Sequence, residues 1–194
     1  MVVFDFDKTL IDKDTIWGFY KEVNENNHSF GIKRGLYFIF VIFYKMRLIS
    51  NTGLKKAGVF LFLRGKKKEY ILQRGVSYAK SLTLNQVYHQ DYRTYNPESR
   101  WVISASFEEY LINVFPEDKV VASQLMYKNE KVIGLACNMF GSEKLKYIES
   151  LLQVEAIDVF YTDSYSDRPL MDVAKNVYMI KNGEKALIKG LEND

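Results

Sequence analysis

Hydrophobic and polar positions along the chain follow two regimes. At residues 1–12 and 96–194, short β-branched or aromatic runs end at polar residues and give way to helical stretches. The spacing predicts strands at Val2–Phe6, Trp101–Ser104, Val120–Leu125, Ile157–Thr162 and Val177–Ile180, and helices at Phe107–Val114, Glu143–Leu152 and Leu170–Ala174. Tyr127–Val132 reads as a hairpin turn between two strands. Repeated strand–helix alternation implies an α/β fold with a mostly parallel sheet, whose functional residues sit at the carboxyl ends of strands. Residues 13–95 show no strand-type alternation, and Asp14–Val23, Gly35–Leu48 and Tyr70–Leu84 read as helices punctuated by Gly and Asn. This stretch is a helical insertion after the first strand.

Charge sharpens that division. Residues 13–95 carry 15 Lys or Arg against 5 Asp or Glu and hold 16 of the 29 aromatic residues, whereas the remainder carries 12 basic against 19 acidic residues. The net +3 of the whole chain is therefore a difference between a basic insertion and an acidic core. With 194 residues and 47% hydrophobic content, the chain can bury a real core, which excludes disordered, collagen-like and coiled-coil classes. One cysteine, Cys137, cannot form an internal disulfide and reads as a buried small hydrophobe. No signal-peptide pattern opens the sequence, and the longest apolar run, Gly35–Tyr44, is shorter than the roughly 20 residues of a membrane span. A cytoplasmic location is the expectation. His28 and His89 lack partners at metal-ligand spacing, and Trp17, Phe19 and Tyr20 read first as core.

The candidate chemistry lies in carboxylates at strand ends. Val2-Val3-Phe4-Asp5-Phe6-Asp7 delivers two of them, spaced i and i+2, at a strand-to-loop junction. Such a pair is half of a Mg²⁺ site and, seen alone, equally the chemistry of a turn. Asp163 and Asp167 repeat the geometry after another apolar run, with Asp167 in a position to cap the helix that contains Pro169. Gly141-Ser142-Glu143-Lys144 opens a helix with a lysine in the first turn, where the helix dipole disfavours a cation. Ser104 and Ser106 end a strand, and Ser106 with Glu109 fits a capping box, which leaves Ser104 as the free hydroxyl.

In order, Asp5-x-Asp7-x-Thr9, Ser104, Lys144 and Asp163-x3-Asp167 resemble the four motifs of the haloacid dehalogenase superfamily. The resemblance covers almost the whole chain. It implies a Rossmann-like three-layer core at 1–12 and 96–194 and a helical cap domain at 13–95, similar to the phosphoserine-phosphatase-like members. It further implies that Asp5 is a nucleophile forming an aspartyl phosphate and that Asp7 is general acid and then base. Ser104, Lys144 and Thr9 would bind the phosphate, with Thr9 bonding near Asp7. Mg²⁺ would be held by Asp5, Asp7 (through its backbone carbonyl), Asp163 and Asp167, the last also supporting Lys144. Dehalogenase members lack the second aspartate, so Asp7 favours phosphate chemistry. Lys8 stands where glycine is frequent.

The physics of the reaction agrees: a carboxylate attacking a phosphate dianion meets a repulsion that Mg²⁺ and Lys144 offset. The substrate is less determined. Ser104-Ala105-Ser106 departs from the Ser-Gly-Gly of phosphoserine phosphatases, while Val121–Leu125 and Gly141–Leu145 resemble the phosphatidylglycerophosphatase members. Gly35–Tyr44 is apolar on every helical face and flanked by Lys33-Arg34 and Lys45-Met46-Arg47, the pattern of a helix that is buried or that dips into an anionic membrane surface. A lipid phosphate substrate with peripheral membrane contact is thus one expectation, and a small soluble phosphate ester or a non-catalytic Mg²⁺/phosphate-binding module are the others. No nucleic-acid recognition motif is present, and nucleic acid is not an expected partner.

Overall fold

The computed structural model describes residues 1–151 and 157–190. The first strand is short: β1 (Val2–Phe4) is followed by the catalytic-loop candidates and then by five inserted helices. These are α1 (Ile16–Val23), α2 (Phe30–Lys45), α3 (Asn51–Gly58), which runs into a π-helical turn at Val59–Leu63, α4 (Lys68–Lys80) and α5 (Gln86–Gln90). The chain then alternates through β2 (Arg100–Phe107), α6 (Glu108–Val114), β3 (Lys119–Lys128), β4 (Lys131–Cys137), α7 (Ser142–Leu151), β5 (Val159–Thr162), α8 (Arg168–Val173), β6 (Asn176–Lys181) and β7 (Glu184–Lys189).

Among the described residues, seven strands form one sheet in the order β4-β3-β2-β1-β5-β6-β7, parallel at the centre, with β4 and β7 antiparallel at the edges. This is the expected α/β, Rossmann-like architecture, with two additions. Strand β7 lies beyond the expected set, although the Asn182-Gly183 turn that creates it has φ of 52° and 80° at its two residues, the geometry of a two-residue hairpin. Strand β2 runs three residues beyond Ser104, to Phe107. The predicted helix end at Leu152 lies outside the described residues.

Alternation along β1 distributes the core. Val2 and Phe4 join one apolar cluster and Val3 joins another, as a period of two requires. The first cluster contains Phe107 and Leu111 beside Phe19, Tyr20, Val59 and Phe62, so the inserted helices and one face of the sheet share a single core. The second cluster packs Ile148, Leu170 and Met171 of α7 and α8 on the opposite face. Insertion and core come close at Gly75, where a Cβ would stand 2.1 Å from the Glu109 carbonyl oxygen; only glycine lets α4 lie so near α6. Asn85 ties the far end of the insertion to the loop after β1: its amide donates to the Leu10 carbonyl and its Nδ2 to the Thr9 carbonyl, at 2.9 and 3.0 Å.

Two local expectations are corrected. Cys137, at the end of β4, is only partly covered, because β4 is an edge strand. Ser106 and Glu109 form no capping box, since the strand runs on to Phe107, which takes the cap position and leaves Ser106 one residue before it, and the Glu109 carboxylate instead accepts from the Tyr127 hydroxyl at 2.8 Å.

Candidate active site

The three central strands β1, β2 and β5 are parallel and in register at Phe4, Val102 and Tyr161, so their carboxyl ends and the loops that leave them converge at one edge of the sheet. Asp5 comes from β1, Ser104 from β2 and Asp163 from just beyond β5. The Asp5 amide still belongs to the ladder, donating to the Tyr161 carbonyl at 2.9 Å, which fixes where its carboxylate points. Lys144 reaches the same place from the first turn of α7. Its ammonium is 2% exposed and lies 3.0 Å from Asp5 Oδ1 and 2.7 Å from Asp167 Oδ2. The two buried carboxylates compensate for the unfavourable helix terminus and hold the lysine charged, with its pKa raised despite burial.

Asp167 stands at the start of α8 but makes no side-chain cap. Its carboxylate accepts from Lys144 and, at 3.1 Å, from the Thr162 hydroxyl. The capping alternative for Asp167 is therefore replaced by a role in positioning Lys144. Asp7 is held at both oxygens: Oδ1 accepts from the Thr15 amide at 3.1 Å and the Thr15 hydroxyl at 2.6 Å, and Oδ2 accepts from the Ser106 hydroxyl at 2.6 Å. With its proton given to Asp7, Thr15 Oγ1 accepts from the Tyr110 hydroxyl at 2.6 Å. Burial pushes the Asp7 carboxyl up to about 6, with Asp14 adding to the rise and the Ser106 and Thr15 hydrogen bonds opposing it.

Ser104 lines the cavity but is not the free hydroxyl expected, because its oxygen accepts from the Ser106 amide at 3.1 Å; its own proton remains available to donate. Thr9 is 0% exposed, its hydroxyl has no partner among the described residues, and it is not among the cavity-lining residues, so the structure brings it near Asp7 without presenting it to a phosphate. Lys8 lines the cavity in the left-handed conformation, φ 58°, which explains why glycine suits that position.

Sequence reasoning missed Thr15, Ser106 as a partner of Asp7, and Lys55. The Lys55 ammonium is buried and donates to the Ala105 carbonyl, to Ser123 Oγ at 3.0 Å and to Asn138 Oδ1 at 2.6 Å. A lysine of the insertion thereby grips the peptide between Ser104 and Ser106, and burial pulls its pKa down to about 7. No local signal marks it, since in a run of basic residues Lys55 reads as one more solvated charge.

Among the described residues, no three Asp, Glu, His or Cys side chains converge as a metal cage. The four-aspartate set divides accordingly: the Asp7 carboxylate is engaged by Thr15 and Ser106, and the Asp167 carboxylate by Lys144 and Thr162. Asp163 and Asp5, the latter paired with Lys144 through Oδ1, remain. Burial raises both carboxyl groups, and the mutual repulsion among Asp5, Asp163 and Asp167 adds to it, so negative charge exceeds what Lys144 and the nearby Lys8 balance. That excess fits a divalent cation of the Mg²⁺ type, which takes one or two carboxylates and completes its shell with waters and substrate phosphate.

The aspartates and Lys144 occupy one end of a cavity of about 790 Å³. The core adds Lys8, Ser104, Phe140 and Ser166 among others, and the part lined by the insertion is mostly apolar: Ile16, Trp17 and Tyr20 of α1, Tyr37, Phe38 and Val41 of α2, and Leu54 of α3, with Asp14, Arg34 and Lys55 as charged members. Thus Trp17 and Tyr20, besides packing the core, face the cleft.

The model of the haloacid dehalogenase-like hydrolases matches residues 2–172. Comparison with curated proteins returns no match. Among solved structures, a protein of unknown function from Bordetella pertussis Tohama I aligns at 14% identity, covering 91% of this chain and 87% of that one with a TM-score of 0.74. A phosphoserine phosphohydrolase-like protein from Francisella tularensis aligns at 17% identity, 91% and 84% coverage and a TM-score of 0.61. A phosphoserine phosphatase described as a phospho-aspartyl intermediate analogue aligns at 18% identity, 91% and 83% coverage and a TM-score of 0.52. At these identities the likeness is one of fold. The family match spans most of the chain and shows that it belongs to the haloacid dehalogenase-like hydrolases.

Proposed function

We propose that the protein is a Mg²⁺-dependent phosphatase that cleaves the phosphomonoester of an amphiphilic substrate, a lipid phosphate of the phosphatidylglycerophosphate kind, through an aspartyl phosphate on Asp5. The observation that carries this reading is the lining of the cavity: the core contributes the Asp5, Asp7, Asp163 and Asp167 carboxylates and Lys144, while the insertion contributes mostly aromatic and aliphatic side chains. A phosphate seats at the first and a hydrocarbon portion at the second.

In the first half-reaction an Asp5 carboxylate oxygen attacks phosphorus, the ester P–O bond breaks, and protonated Asp7 gives its proton to the departing alkoxide. In the second, Asp7 takes a proton from water as the water oxygen attacks the aspartyl phosphate, releasing inorganic phosphate and restoring Asp5. Covalent catalysis divides one hard displacement into two, and positioned proton transfer contributes about 10²–10⁴ in rate. A carboxyl near neutrality suits a group that must be acid and then base, which agrees with Asp7 at about 6. Lys144 neutralises Asp5 and the incoming phosphate, and Ser104 donates to a phosphoryl oxygen. Asp5, Asp163 and the Asp7 backbone carbonyl would hold Mg²⁺, which supplies charge neutralisation of the phosphoryl group. Thr9, enclosed and facing no cavity, supports the loop and not the phosphate.

A small soluble phosphate ester is the second reading, favoured by the fold shared with phosphoserine phosphatases. The test is phosphate release, with and without Mg²⁺, from an aryl phosphate and then from a panel pairing soluble phosphate esters with lysophosphatidate and phosphatidylglycerophosphate. Asp5→Asn runs alongside. Turnover that needs Mg²⁺ and Asp5 and prefers the lipids is expected. Activity surviving Asp5→Asn overturns the mechanism, and preference for a soluble ester overturns the substrate assignment.

A further inference from the structure

Helix α2 is the anomaly of the molecule. Its sequence is apolar all round, yet it has no buried residue. Only Phe30, Lys33, Tyr37 and Val41, a single stripe at helical spacing, are partly covered, with the Tyr37 ring stacked on Trp17 at 5.9 Å. Outside the stripe Ile32 is 74% exposed, Phe38 62% and Met46 62%, with Ile39, Phe43 and Leu48 also open, and Phe60 of the π-helical turn adds a further exposed ring. Monomeric proteins rarely leave so continuous an apolar face without using it.

The charge around this face says what covers it. From Asn26 to Lys68 the chain holds ten Lys or Arg and no Asp or Glu. Of these only Lys55 is buried by internal partners; Arg34, Lys45, Arg47, Lys56, Arg64 and Lys67 are exposed. Lys33 and Arg74 lie close enough to Lys66 to add to the burial that lowers its pKa, and of these three only Arg74 has acidic partners among the described residues, Glu22 and Glu25, both outside the 26–68 stretch. A second copy of the chain would bring two such basic rims together and be repelled. A surface of anionic lipid headgroups over a hydrocarbon layer complements both the apolar face and its rim. No helix among the described residues is long and apolar enough to cross a membrane, so α2, some 24 Å long at 1.5 Å per residue, lies along the interface.

We infer that α2 is an interfacial anchor that seats the protein on anionic membranes with its apolar face in the lipid. The same helix forms a wall of the active-site cavity through Arg34, Tyr37, Phe38 and Val41, so seating α2 places the cavity mouth against the bilayer. A lipid phosphate then enters with its hydrocarbon tail still in the membrane. This deepens, and rests on, the proposed lipid phosphatase activity.

The experiment is flotation of the full chain with vesicles of phosphatidylcholine alone and of phosphatidylcholine mixed with phosphatidylglycerol, beside an aryl phosphatase assay of the same samples. Ile39→Asp/Phe43→Asp alters exposed residues outside the cavity, and Lys45→Ala/Arg47→Ala removes two rim charges. Wild type is expected to float with the phosphatidylglycerol vesicles and not with phosphatidylcholine alone. The Ile39→Asp/Phe43→Asp variant is expected to lose binding while keeping aryl phosphate hydrolysis and its thermal midpoint. Lys45→Ala/Arg47→Ala should weaken binding roughly thirtyfold, at about 1 kcal/mol per cation near an anionic surface. Absence of flotation with full aryl phosphatase activity overturns the anchor and leaves the phosphatase standing. Flotation without phosphatase activity supports the anchor and overturns the catalytic reading. Concentration-dependent dimerisation abolished by Ile39→Asp/Phe43→Asp, without flotation of wild type, overturns the anchor in favour of a self-association face.

Discussion

Ser106 and Asp7, 99 positions apart in the chain, share a 2.6 Å hydrogen bond in which the serine hydroxyl donates to Asp7 Oδ2. Thr15 holds the other oxygen, so one carboxylate is oriented by the sheet core on one side and by the insertion on the other. Closing the inserted helices onto the sheet therefore completes the surroundings of the carboxylate proposed to transfer the proton. Docking of the insertion and chemistry are linked through this contact.

Loss of either partner should affect proton delivery more than phosphoryl binding. Ser106→Ala and Thr15→Val are expected to lower kcat for an alkyl phosphate by about 10- to 100-fold, the scale of a small misplacement of a reacting group. An aryl phosphate, whose leaving group departs without a proton, should lose much less, and KM should change little for either ester. Equal losses on both esters would remove the proton-delivery account.

Lys144 is the hub of the buried charges. Removing one partner of a buried ion pair while leaving the other costs about 3–5 kcal/mol. Lys144→Met is expected to abolish turnover and to lower Tm by about 6–20 °C for a chain of this size. Adding Asp167→Asn, which removes one stranded charge, should restore part of the Tm and none of the activity. A double variant no more stable than Lys144→Met would show that Asp167 does not depend on Lys144 for its stability.

These two networks also mark how far sequence alone reaches. Asp5, Asp7, Asp163 and Asp167 are legible because each follows an apolar run that can only be a strand, and parallel strands bring their carboxyl ends to one edge. Lys144 is legible from its chemically odd place in a first turn. Thr15, Lys55 and the true partner of Ser106 are not, because their roles exist only once the insertion closes on the sheet, a relation between segments with no local periodicity to announce it. Strand β7 is open to detection through Asn182-Gly183. The face of α2 is not, since a helix apolar on every side points nowhere until its neighbours are known.

Close approach at Gly75 yields a test of how the insertion docks. A methyl group there would overlap the Glu109 carbonyl, a backbone atom that cannot swing aside, so α4 must shift from α6. Gly75→Ala is expected to cost about 1–3 kcal/mol despite the better helix propensity of alanine. Gly134→Ala, where a Cβ meets nothing within 4 Å, is the matched control and should stay within about 0.5 kcal/mol of wild type. Urea midpoints decide, and a Gly75→Ala variant as stable as its control would mean that α4 and α6 can separate at no cost.

Glu109, in α6, is 6% exposed, with Oε1 bonded to the Tyr127 hydroxyl and Oε2 buried without a hydrogen-bond partner among the described residues. Burial raises its carboxyl above the ordinary 4.5, outweighing the hydrogen bonds that favour the charged form. Between 4.5 and that raised value the folded protein holds a proton that the unfolded chain has lost. The carboxyl's contribution to stability is therefore fully present below 4.5 and is lost as pH rises through the folded pKa. Glu109→Gln has the same shape and no charge to bury, while its carbonyl still accepts from Tyr127. The variant should equal or exceed wild type in stability at neutral pH, and its advantage should shrink on acidification toward 4.5. Urea unfolding of both proteins across that range measures the difference at about 1.4 kcal/mol per unit of pKa shift. Parallel stability–pH curves would mean that Glu109 is solvated in the folded state, and that its second oxygen finds a partner in water.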